Sequence, residues 1–169
     1  MIRSTTHQIV VAALLLALGV LLPTAFHLFD ISGVMFLPMH LPVLLCGLLC
    51  GWKFGGMTGF LVPLLASLLT GKPPIYPTAL AMAFELAAYG IVTGLLIKRF
   101  NVFVSLIGAM LAGRVVMGLA NYVFLGLAGN AYTLNMFLGG AFLTVWPGIL
   151  IQLVFVPAII LALKRARLI

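Results

Sequence analysis

Long apolar runs along this chain are interrupted by short clusters of proline, glycine and charge. Read as punctuation, those clusters divide it into six apolar segments, roughly residues 8–26, 36–52, 54–70, 76–97, 102–127 and 136–163. Crossing a hydrocarbon core about 30 Å thick takes about 20 helical residues. The pattern therefore predicts an all-α integral membrane protein, a compact bundle of six transmembrane helices joined by short loops. Segments two and three are short and contain Pro38, Pro42 and Pro63, so one or both should be broken or tilted.

Composition supports the membrane assignment. Of 169 residues, 64% are hydrophobic and only 7% charged, against about half apolar and a quarter charged in soluble domains. Six spans leave no room for a soluble domain, and no tandem repeat, low-complexity tract or long linker divides the chain, so residues 1–169 are expected to form one transmembrane domain. The N-terminal stretch to Phe26 has a basic start and an apolar run like a signal peptide. It lacks a small-x-small cleavage site before Asp30 and reads as a retained first span.

The net charge of +7 would suggest nucleic acid in a soluble protein. Here the basic residues fall at segment ends, where lipid headgroups attract them, and nucleic acid is set aside in favour of the lipid bilayer. With both termini in the cytoplasm, Arg3, Lys53, Lys98, Arg99, Lys164, Arg165 and Arg167 lie inside and Lys72 alone outside, which satisfies the positive-inside rule. Residues 27–35, 71–75 and 128–135 then become outer loops carrying Asp30, Pro73, Pro74, Asn130, Tyr132 and Asn135.

Gly47, Gly51, Gly55 and Gly59 recur every fourth residue, as do Gly90 and Gly94, a spacing that lets helices approach closely. Cys46 and Cys50 share a helix face without histidine or acidic neighbours and read as core- or lipid-facing rather than as metal or redox groups. No metalloprotease, nucleophile-elbow or phosphate-loop motif is present: Gly71-Lys72 runs into Pro73. The chain is expected to be neither an enzyme nor the holder of a cofactor or metal.

Glu85 and Arg114 are the charged residues deep inside apolar segments, where charge is costly enough that pairing or function is the default. The turn between segments four and five centres between Arg99 and Phe100, so Glu85 lies 14.5 residues before it and Arg114 14.5 after. An antiparallel hairpin sets both at one depth, about 22 Å from the turn and in the outer half of the membrane. Two readings are open, a structural salt bridge or the lining of a polar pocket. Glu85 and Tyr89 are a helical turn apart; Arg114, Gly118 and Asn121 share a face, as do Thr144, Gly148 and Gln152. Converging, these faces would bind a small polar molecule. Separately, Asn121 and Gln152 serve equally well as interhelical hydrogen-bond glue. His40, between Pro38 and Pro42, could face the same cavity or make a structural hydrogen bond.

The stretches FLPMHLPVLLCGLLCGWKFGGMTGF, residues 36–60, and PLLASLLTGKPPIYPTALAMAFELAAYG, residues 63–90, resemble the membrane S components of energy-coupling factor (ECF) transporters. That resemblance implies a substrate-binding subunit in a bacterial-type plasma membrane, capturing a water-soluble vitamin or precursor from outside. The partners it implies are a transmembrane coupling subunit and two ABC-type ATPases, which use the ATP. It further implies that an A-x-x-x-A motif in the first helix, here Ala13 and Ala17, packs against the coupling subunit, that residues 27–37 gate the pocket, and that the Glu85, Arg114, Asn121 and Gln152 faces line it; with Tyr89 and His40 from the polar pattern, these are the candidate substrate-site residues. Signatures for riboflavin, thiamine, biotin or cobalt are absent; pantothenate, a pyridoxine-like compound and hydroxymethylpyrimidine all stay open. Two other classes compete: an ion-coupled secondary carrier using Glu85 as a proton site, and a structural membrane partner without ligand.

Overall fold

The computed structural model describes residues 4–29 and 33–167, which form helices and no strands. In chain order these are α1 (Thr5–Leu28), α2 (Gly33–Phe36), α3 (His40–Cys50), α4 (Trp52–Thr70), a wide turn at Ile75–Ala79 leading into α5 (Leu80–Leu96), α6 (Val102–Leu127), α7 (Leu134–Leu138) with a second wide turn at Gly139–Leu143, and α8 (Trp146–Arg165). Among the described residues, five helical stretches are long and apolar enough to cross a membrane: Thr5–Phe26, Trp52–Thr70, Ile75–Leu96, Val102–Leu127 and Trp146–Arg165. Asp30, expected in the first loop, lies outside the described residues.

Two expected segments are interrupted. Segment two, expected over 36–52, yields only the 11 residues of α3, which rise about 16 Å, half a hydrocarbon core. The cause lies in front of it. Leu37 takes a left-handed backbone with φ 53°, at a cost on the order of 1 kcal/mol for a residue with a Cβ, and the chain restarts as a helix at His40. Segment six, expected over 136–163, is split between the turn ending at Leu143 and α8 beginning at Trp146. Gly139 and Gly140 are weak helix formers, and Pro147 in the first turn of α8 has no N–H to continue a helix from Leu143. By contrast α4 runs unbroken through Pro63.

Glycine sets the tightest seam. A Cβ at Gly47 would lie 2.6 Å from the Gly90 carbonyl oxygen, and one at Gly55 2.7 Å from the Gly47 Cα. At Gly59 it would strike the Leu86 carbonyl, and at Gly94 the Trp52 backbone. The backbones of α3, α4 and α5 therefore touch, and the corner from α3 to α4 is a single residue, Gly51, at φ 87°. Val43, Leu44, Val62, Leu86, Leu106 and Val156 fill the centre of the bundle. Both cysteines are buried and reduced, with Cys46 Sγ 3.3 Å from the Thr58 hydroxyl. Outward faces are apolar too: Leu14, Leu119 and Val154 are each at least 60% exposed, the surface a helix presents to lipid.

Candidate functional site

Close packing of α3 against α5, and of α5 against α6, brings three polar residues from three helices to one point. Arg114 of α6 donates from Nη1 to Glu85 Oε1 of α5 at 2.7 Å. His40, the first residue of α3, sets Nε2 3.5 Å from the same oxygen. Tyr89, one turn along α5 from Glu85, stands edge-on to the His40 ring with centroids 5.1 Å apart, and the Arg114 guanidinium sits 6.0 Å from the Tyr89 centroid. All four residues are at most 3% exposed. The equal depths expected of Glu85 and Arg114 are realised as direct contact.

Local sequence explains how the cluster fits. Gly113 faces Tyr89 so closely that a Cβ there would strike the phenol ring; glycine thus lets the ring lie against α6 beside Arg114. The turn at Leu37 and Pro38 opens α3 directly at His40, and the His40 N–H bonds back to the Leu37 carbonyl at 3.1 Å. Met117, one turn beyond Arg114, accepts from Nη1 at 3.6 Å through its sulfur. Sequence reasoning missed Gly113 and Met117. Their i−1 and i+3 spacing from the buried arginine is the signal that could have found them.

Gln152 of α8 is 1% exposed, and neither its amide oxygen nor its nitrogen has a hydrogen-bond partner, so it is buried without touching the other four through a hydrogen bond. One turn before it, Gly148 lets α2 cross α8: a Cβ there would meet the Met35 carbonyl at 2.8 Å. Thr144, expected on the same face, is exposed and donates to the Gly139 carbonyl at 3.1 Å. Asn121 is separated from Arg114 by two turns and is half-buried near the end of α6. There it lies by the phenol of Tyr132, whose pKa is raised by burial, with Asn121 opposing the shift. Nearby, Tyr76 donates to the Phe124 carbonyl at 2.6 Å, tying the wide turn before α5 to α6. Ala13 and Ala17 lie on the exposed side of α1, away from the cluster.

Among the described residues, every buried side-chain nitrogen or oxygen without a hydrogen-bond partner belongs to four residues: His40 Nδ1, Tyr89 Oη, Arg114 Nε and Nη2, and both amide atoms of Gln152. An unmade bond to a buried polar group costs about 1–3 kcal/mol, and native interiors hold few of them. His40, Tyr89 and Arg114 bring their unused donors and acceptors together where α3, α5 and α6 meet, and Gln152 adds an unpartnered amide on α8. The arrangement can hold a small polar molecule through several hydrogen bonds. Among the described residues, no three histidine, cysteine or acidic side chains gather as metal ligands.

No curated protein and no solved structure matches this chain. A family model described as "ECF transporter, substrate-specific component" matches residues 7–163, nearly the whole sequence. The chain thus belongs to the substrate-specific components of ECF transporters, a family of membrane transport proteins rather than enzymes.

Proposed function

We propose that this chain captures a water-soluble vitamin or vitamin precursor on the outer side of the plasma membrane, in a site formed by His40, Glu85, Tyr89, Arg114 and Gln152. One observation carries this reading: among the described residues, the unpartnered buried polar atoms are confined to Gln152 and to His40, Tyr89 and Arg114, the residues gathered at Glu85. Asn121 belongs to the approach rather than to the cluster, since it is held at the end of α6 with Tyr132. α2 crosses α8 at Gly148, and in this reading residues 27–37, of which 30–32 lie outside the described residues, move to admit substrate.

In this reading both termini are cytoplasmic and α3, with the residues before it, completes a sixth crossing. The chain holds no cofactor. Transport is driven by ATP in two partner ATPases, through a coupling subunit that docks on the exposed face of α1 at Ala13 and Ala17. An ion-coupled carrier is disfavoured because Glu85, the carboxylate it would need, is already engaged by Arg114. Reconstitution tests the function. Vesicles containing the chain alone should bind substrate without accumulating it, and accumulation should appear with the coupling subunit, both ATPases and ATP. Uphill uptake by the chain alone, on a proton or sodium gradient, would replace this reading with the carrier.

A further inference from the structure

The cluster is already balanced in charge. Glu85 and Arg114 are the two charged side chains in it, they are bonded to each other, and both are buried. The other charged residues of the described structure, Lys53, Lys72, Lys98, Arg99, Lys164, Arg165 and Arg167, are all exposed at helix ends or in loops. With His40 counted as the neutral imidazole, the site sums to zero. A ligand bearing one net charge would leave that charge uncompensated in a medium of low polarity, which weakens binding by orders of magnitude.

Free valences define the ligand further. Glu85 takes Nη1 of Arg114, leaving Nε and Nη2 unpaired. Those two groups form one planar edge of the guanidinium, a fork that meets two adjacent acceptors. Gln152 offers both a donor and an acceptor, and the Tyr89 hydroxyl can act as either. Resting on the reading of this cluster as the substrate site, we propose that the substrate carries no net charge and presents neighbouring acceptors to the free edge of Arg114. A neutral heterocycle with a carbonyl oxygen beside an unprotonated, pyridine-type ring nitrogen has that chemistry. A carboxylate matches the fork in shape but not the charge balance.

The experiment splits a deproteinised small-molecule extract of bacterial cells by ion exchange at pH 8, above the ordinary titration range of imidazole, into anionic, cationic and neutral pools. Each pool is added to the purified chain in mild detergent, and thermal unfolding is followed. The Glu85→Gln/Arg114→Gln double variant is the control, because it removes both charges without stranding either. The neutral pool should raise the midpoint of the native chain by several degrees and leave that of the double variant unchanged. A rise given by the anionic or cationic pool, absent in the double variant, would overturn neutrality and leave the site in place. No rise from any pool, or a rise that persists in the double variant, would overturn the site itself and this proposal with it.

Discussion

At the scale of single residues, the proposed site gives the Glu85–Arg114 pair two separable roles. The bond at 2.7 Å between buried groups stabilises the α5–α6 hairpin only while both partners are present. Arg114→Ala strands a buried carboxylate and is expected to cost about 3–5 kcal/mol of stability, together with substrate binding. Replacing both residues by glutamine should restore much of that stability without restoring binding, as read by thermal unfolding and by ligand titration of the same preparations. Equal binding by the double variant would make the pair purely structural. The shared depth was legible from sequence because a hairpin sets residues equidistant from a tight turn level with each other, and the cost of unpaired charge in hydrocarbon favours their contact. The place of His40 was not legible in the same way. Its approach to Glu85 depends on Leu37 at φ 53° and on where α3 starts, both settled by packing rather than by local preference. Asn121 misled for a related reason. Two turns beyond Arg114 on the same face is about 10 Å along the axis, enough to carry it from the cluster to the end of the helix.

At the scale of elements, the α3–α4–α5 seam depends on absent side chains. Gly59→Ala would drive a methyl into the Leu86 backbone, and overpacking of this kind costs about 1–3 kcal/mol. Gly126, also helical, has open space where a Cβ would stand, with no neighbouring atom within 4 Å, so Gly126→Ala should be neutral or stabilising by up to about 1 kcal/mol. Thermal unfolding of the two variants in one detergent checks the contrast; equal effects would mean that the glycines act through helix propensity and not through close approach. The four-residue glycine spacing made this seam readable in advance. The division of segment six was equally written in Gly139, Gly140 and Pro147, but a continuous apolar run hid it, since hydropathy reports burial in lipid and not helix continuity. The break before α3 has no comparable signal beyond Pro38, since α4 carries Pro63 without breaking.

At the scale of the whole molecule, the polar cluster and the exposed face of α1 are distinct surfaces of one bundle. The cluster is closed between α3, α5, α6 and α8, whereas Ala13 and Ala17 face outward on α1. Substitution at one should therefore leave the other intact. Ala17→Trp puts a large ring on the face proposed for docking, where close helix approach needs small residues; it should weaken co-purification with the coupling subunit while ligand retention stays at the native level. Loss of both together, or of neither, would take Ala17 out of the docking face. The central claim is that the cluster holds the substrate. It is tested most directly by mass spectrometry of the small molecules released on denaturing the purified chain, compared with the Glu85→Gln/Arg114→Gln variant prepared identically. A near-stoichiometric compound released by the native chain and missing from the variant is the predicted result; the same compound in equal amount from both would contradict it.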